Sequence, residues 1–234
     1  MITLLRNLFC SSLGKKYLMA GSGAVLFLFV IGHLAGNLQV FLGAEAINRY
    51  GDLLQTNIEL LWPVRIALLC IIIIHIWSAT KLTLENRAAR PTGYQQWNPT
   101  AASYASRTMM YSGVIVAIFI VYHLLHFTAM VQAVNFTGKD FDSRPEFFDA
   151  KGRHDIYRMM IAGFSVWYVS LFYILGVGLL CLHLSHGVSA MFQSLGWKSR
   201  GYGPCLDRAA RWGSALIFIG YASIPISILC GLIK

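Results

Sequence analysis

The sequence predicts an all-α protein, an integral membrane bundle of five transmembrane helices. Three observations carry this. The 234 residues are 56% hydrophobic and only 12% charged, too little charge to solvate a soluble domain of this size. Five runs are apolar on every face rather than on one stripe, as helices that meet lipid are. Short loops rich in Lys and Arg separate the runs, and such loops orient spans. The same placement explains the formal net charge of +9 without nucleic acid as a partner: the cations flank spans and form no binding patch.

Residues 1–16 are basic and partly apolar, and are expected at the membrane surface. No cleavable signal is read there, because Arg6, Lys15 and Lys16 precede a run too long for a signal core and no A-x-A site follows. The first span is expected over 17–42, with Gly32 and Gly36 at small-xxx-small spacing. Residues 43–60 read as an acidic loop with Glu45, Asp52 and Glu59. The second span is expected over 61–84, where Pro63 suits a first turn. Residues 85–109 read as a polar loop with Arg87, Arg90 and Arg107, broken by Pro91 and Pro99, with Trp97 and Tyr104 as interfacial anchors. The third span is expected over 110–131. The loop 132–158 is the longest and most polar. The fourth span is expected over 159–192, long enough to tilt or protrude, and the fifth over 212–233. The whole reads as one domain, 1–234. The five cysteines show no paired spacing and read as small hydrophobes.

Five spans place the termini on opposite sides. With the N-terminus inside, the inner loops hold eleven of the nineteen Lys and Arg and only two acids, Glu85 and Asp207. The bias favours a cytoplasmic N-terminus.

The chemistry lies in the histidines. An ionisable side chain within a span is costly and marks function by default. His33, His75, His123 and His183 lie in four successive spans, each in the C-terminal half. Because alternate spans run in opposite directions, His33 and His123 fall toward the outer leaflet, and His75 and His183 toward the inner. At ~1.5 Å rise per residue the two layers lie roughly 10–20 Å apart. The pattern predicts His33 paired with His123 and His75 paired with His183. Two facing neutral imidazoles in a dry helical bundle suit a b-type haem, so two haems are expected. Zinc fits less well, because neither layer offers a third or fourth ligand.

Other polar residues have alternative readings. His126 and His186 lie one turn beyond His123 and His183 and could exchange roles with them, or serve as supporting or interfacial residues. His154, between Arg153 and Asp155, reads as part of a solvated face. Arg65 is a candidate propionate partner, or a side chain that reaches the interface. Tyr17, Arg158 and Glu59 are weaker candidates for propionate or quinone-side contacts.

Four segments carry a family resemblance: FLFVIGHLAGN at 27–37 with GAEAIN at 43–48, IIIIHIWSA at 71–79, GVIVAIFIVYHLLHF at 113–127, and LHLSHGVSAMFQSLGW at 182–197. With them the chain resembles, over nearly its whole length, the single-chain, five-helix, di-haem cytochrome b membrane anchor of succinate:quinone oxidoreductase, shared by succinate dehydrogenases and fumarate reductases. The resemblance implies one axial ligand from each of the first four helices: His33, His75, His123 and His183. The first pairs with the third and the second with the fourth. An H-x-x-x-G pattern from His183 to Gly187 selects His183 over His186. For the family's acidic residue in quinol chemistry, Glu59 is the candidate. The resemblance further implies a bacterial cytoplasmic-membrane protein that passes electrons between an iron–sulfur subunit and membrane quinone, with menaquinone favoured. Dicarboxylate chemistry would lie on a separate flavoprotein subunit. The residues alone leave two other classes open. One is a haem b anchor of hydrogenase or formate dehydrogenase type. The other is a non-redox polytopic membrane protein whose histidines serve packing or proton transfer.

Overall fold

The structure is a computed structural model that describes residues 2–89 and 104–234. Arg90, Pro91, Trp97 and Pro99, part of the expected polar loop, lie outside the described residues. Among the described residues ten α-helices follow in order: α1 Ile2–Cys10, α2 Ser12–Asn37, α3 Ala44–Thr56, α4 Ile58–Ala88, α5 Tyr104–Arg107, α6 Met109–His123, α7 Gln132–Asn135, α8 Ile156–Phe164, α9 Trp167–Ser194 and α10 Gly203–Leu229. No strand occurs among the described residues.

Five helices are long and apolar enough to cross a membrane: α2 with its 3₁₀ extension to Leu42, α4, α6 with its continuation to Thr128, α9 and α10. Length and composition thus mark a multi-pass membrane protein. At ~1.5 Å per residue the 31-residue α4 extends well past a ~30 Å hydrocarbon core. Its Leu60, Ile66, Leu69 and Ile73 are exposed, as side chains that meet acyl chains are. Because α4 starts at Ile58, Pro63 sits in its second turn rather than its first. There it cannot donate to the Glu59 carbonyl.

Several helices begin or end where sequence periodicity gave no sign. The expected loop 43–60 contains α3, entered through Gly43 at φ +97°, a backbone state that favours glycine. The expected fourth span divides at Ser165–Val166 into α8 and α9. No proline lies at this break, and the nearest glycine, Gly163, is still within α8. The Ser170 hydroxyl donates to the Phe164 carbonyl at 2.6 Å, and a serine side chain thereby replaces a backbone donor. After His123, α6 widens into one π turn, Leu124–Thr128. There Ala129 N–H donates to the Leu124 carbonyl, five residues back, at 2.7 Å.

The chain divides into two compact units, each stitched from separated segments. Unit 1 comprises Met1–Phe29, Arg65–Gly113 and Leu182–Ser214. Within it Phe9 packs on Trp77 at 5.6 Å between centroids. The buried Lys15 ammonium meets the Glu85 carboxylate, which ties α2 to α4. Lys198 pairs with Asp207 at 2.7 Å.

Unit 2 comprises Val30–Val64, Val114–Cys181 and Ala215–Lys234. Its polar loop 132–158 folds over a small core in which Phe141, Phe147 and Met159 are buried against Phe127, Met130 and Ile156. Asn48 of α3 is buried here. Its amide donates to Asp155 at 3.0 Å, and its side-chain oxygen accepts from Tyr157 N–H at 3.0 Å. Asp155 also caps α8 by accepting from Arg158 N–H at 3.0 Å. His154 is not part of a solvated face: its Nε2 donates to the Phe141 carbonyl at 2.9 Å and its Nδ1 is buried.

Candidate functional site

In unit 2, the rings of His33 on α2 and His123 on α6 lie with centroids 5.7 Å apart. In unit 1, His75 on α4 and His183 on α9 lie 6.3 Å apart. The structure therefore brings together the two pairs that depth along the spans predicts, one in each unit. All four rings are half-buried.

Small residues make room for the second pair. A Cβ at Gly23 would lie 3.2 Å from His75 Cε1, and one at Gly113 would lie 3.5 Å from His183 Cε1. Each of these glycines follows a serine that serves the same histidine. Ser22 Oγ lies 3.1 Å from His75 Nδ1. Because Ser22 donates its own proton to the Leu18 carbonyl at 2.6 Å, it accepts from the imidazole, and His75 carries its proton on Nδ1. Ser112 repeats the device. It donates to the Met109 carbonyl at 3.0 Å and lies 3.4 Å from His183 Nδ1. In both rings the Nε2 lone pair is left for a ligand. A neighbour that fixes the tautomer in this way is the usual support of a metal-binding histidine.

For His123 the corresponding neighbour is Tyr173 of α9, whose hydroxyl lies 3.5 Å from Nδ1. His33 packs beside Tyr221 at 6.3 Å between centroids, and the Tyr221 hydroxyl donates to the Val30 carbonyl at 2.8 Å.

His126 is placed differently from His123. Its ring is fully buried, stacks on Phe127 at 3.9 Å, and shares its Nδ1 with the Tyr173 hydroxyl at 3.0 Å. The ring that faces His33 is His123 and not His126. His183 is the ring that meets His75, and His186 lies half-buried one turn further along α9. Arg65 is exposed on α4, Glu59 is exposed in its first turn, and Tyr17 is 44% exposed on α2. Unit 2 also contains a cavity of about 640 Å³, lined by Lys139, Phe147, Tyr157, Arg158 and Ile161 among others. Arg158 is thus at a cavity wall, and Glu59 is not among the lining residues.

The donor set fits a haem iron and not a protein-only metal cage. Among the described residues, no three or more His, Cys, Asp or Glu side chains converge to hold an ion. A bis-imidazole haem needs only two protein ligands. With ring centroids 5.7 and 6.3 Å apart, each pair lies at about the spacing of two imidazoles that share one metal. A Cβ at Gly32, one residue before His33, or at Gly21, one residue before Ser22, would meet nothing within 4 Å.

Sequence reading missed Ser22, Ser112 and Tyr173. The first two left a signal: the dipeptide Ser–Gly occurs at 22–23 and again at 112–113, each beside a histidine on another span. Compared with known protein families, characterised proteins and solved structures, the chain matches none.

Proposed function

We propose that this chain is the di-haem cytochrome b membrane anchor of a succinate:quinone oxidoreductase, set in the bacterial cytoplasmic membrane with its N-terminus inside. The carrying observation is the pair of facing histidine pairs, with three of the four Nδ1 atoms beside hydroxyl groups, which leaves Nε2 for a ligand. His33 and His123 would hold one haem b, and His75 and His183 the other. Bound haem supplies one-electron redox chemistry.

The chain's own part is to fix the imidazole tautomers, exclude water and place the ligands. Ser22, Ser112 and Tyr173 do the first. The apolar spans do the second, and the glycines beside His75 and His183 contribute to the third. An iron–sulfur subunit would dock on unit 1. Its only acids, Glu85 and Asp207, are taken up by Lys15 and Lys198, while Lys16, Lys81, Arg87, Arg200, Arg208 and Arg211 stay exposed. Dicarboxylate chemistry would belong to a flavoprotein partner, and membrane quinone, with menaquinone favoured, would exchange electrons with the anchor.

The test is a reduced-minus-oxidised spectrum of the purified chain with haem quantified per protein. Two low-spin b haems are expected, and His75→Ala and His123→Ala should each leave one. A well-folded colourless protein would overturn the proposal. Two intact haems in His123→Ala would overturn the ligand assignment. Co-purification with a flavoprotein and an iron–sulfur subunit would separate this anchor from those of hydrogenase or formate dehydrogenase type.

A further inference from the structure

The supports of the two histidine pairs differ in kind. Ser22 and Ser112 each pass their own proton to a carbonyl of their own helix, so those chains of hydrogen bonds stop after one step. Behind His123 the chain has a second step. Tyr173 is 6% exposed, and its hydroxyl lies between two imidazoles, 3.5 Å from His123 Nδ1 and 3.0 Å from His126 Nδ1. With Nε2 of His123 kept for a ligand, its Nδ1–H donates to the phenol oxygen. The phenol proton then goes to His126 Nδ1, and the proton of His126 must sit on Nε2.

That Nε2 is buried and has no partner among the described residues. It rests on α8 at Gly163, where a Cβ would lie 3.0 Å from it and 3.0 Å from Phe127 Cζ. An unpaired buried N–H is unfavourable, and an aliphatic side chain of similar size would avoid it. The arrangement is accounted for if the other nitrogen of His126 is required as an acceptor. A phenol that donates to an imidazole is polarised, which strengthens it as an acceptor for the next donor in line.

We infer that Tyr173 and His126 form a positioning pair for His123. They fix its ring and strengthen its Nδ1–H donation, so that the His33–His123 haem is tuned apart from the haem held by the serine-supported pair. The inference rests on the haem assignment proposed above. Donation from the outer nitrogen makes an imidazole a more basic ligand and favours the oxidised iron.

The experiment is an equilibrium redox titration of the full-length chain, with electron paramagnetic resonance of both low-spin signals. The variants are Tyr173→Phe, His126→Leu, His126→Gln and Ser112→Ala. Tyr173→Phe keeps the ring packing and removes only the hydroxyl. It should raise the midpoint potential of one haem and move that haem's resonance, leaving the other haem unchanged. His126→Leu should move the same haem in the same direction, and His126→Gln, whose side-chain oxygen can still accept from the phenol, should return it toward the wild-type value. Ser112→Ala should move only the other haem. Unchanged signals in both Tyr173→Phe and His126→Leu would overturn the inference, as would parallel shifts of both haems. A wild-type chain without haem would instead overturn the assignment on which the inference rests.

Discussion

At the scale of single residues, one rule recurs: a histidine is placed by what stands next to it on a different helix. Gly23 shows how little room the arrangement has. A Cβ there would already lie 3.2 Å from His75 Cε1, and a branched side chain would have to displace the ring. Overpacking of this kind costs typically ~1–3 kcal/mol. Gly23→Val should therefore abolish the His75–His183 haem, halving the haem content, and lower the thermal stability in detergent. Gly32→Ala, which meets nothing within 4 Å, should retain both haems. The candidate ligands were legible in the sequence because an ionisable side chain is conspicuous in an apolar run and because spans alternate in direction. Their supports were harder to read. A serine or tyrosine in a span is common and commonly bonds its own helix, so only the repeated Ser–Gly step hints at Ser22 and Ser112. Nothing local distinguishes Tyr173 from Tyr168 on the same helix or from Tyr122 on α6. The different surroundings of His123 and His126 rest on the π turn and the Phe127 stack, which hydropathy does not encode.

At the scale of elements, the five apolar helices were legible and their ends were not. Spans are chosen by hydropathy, but α2, α4 and α10 continue into polar sequence for as long as backbone bonding and packing support them. The break before α9 is made by the Ser170 hydroxyl, one residue in an unremarkable run. The short α3 was hidden because its acidic, amphipathic sequence looks like a loop when only spans are sought. It is held by tertiary bonds. Glu45 accepts from Arg153 at 2.7 Å and Lys151 at 2.8 Å, and Asn48 is buried against Asp155 and Tyr157. The hydrogen bond from Arg153, then that from Lys151, lowers the Glu45 carboxyl from an ordinary 4.5 to about 2. A group depressed on folding stabilises above its ordinary value and loses that contribution as pH falls toward its folded one. Hydrogen exchange in α3, corrected for intrinsic rates, should therefore quicken as pH falls from about 4.5 to about 2. Glu45→Gln should lack this step relative to wild type. Because the Glu45 side chain is 63% exposed, added salt should weaken the same tie in the wild-type protein.

At the scale of the whole molecule, charge is divided as sharply as chemistry. Unit 1 holds twelve of the nineteen Lys and Arg and two of the ten Asp and Glu, a formal +10, whereas unit 2 holds seven and eight, a formal −1. The positive-inside rule would place the cationic loops of unit 1 on the cytoplasmic side, which the proposed orientation adopts. Single cysteines placed at Lys16 and Arg208 in a cysteine-free background should be protected from a membrane-impermeant thiol reagent in intact cells. One placed at Lys151 should be labelled. The opposite pattern would reverse the orientation.

The segmented make-up of the two units also dictates an order of events during synthesis. Both histidines of the His33–His123 pair have emerged once the third span is made, whereas His75 must wait for His183 in the fourth. Neither unit is then finished, since unit 1 still lacks residues up to Ser214, and unit 2 lacks Ala215–Lys234 with the Tyr221 that bonds back to Val30. A ribosome-bound chain halted between the fourth and fifth spans would thus carry all four of these histidines before either unit is complete. On the haem assignment proposed above, a cofactor would find its histidines before the protein closes around it, and the last helix would be the final part to arrive.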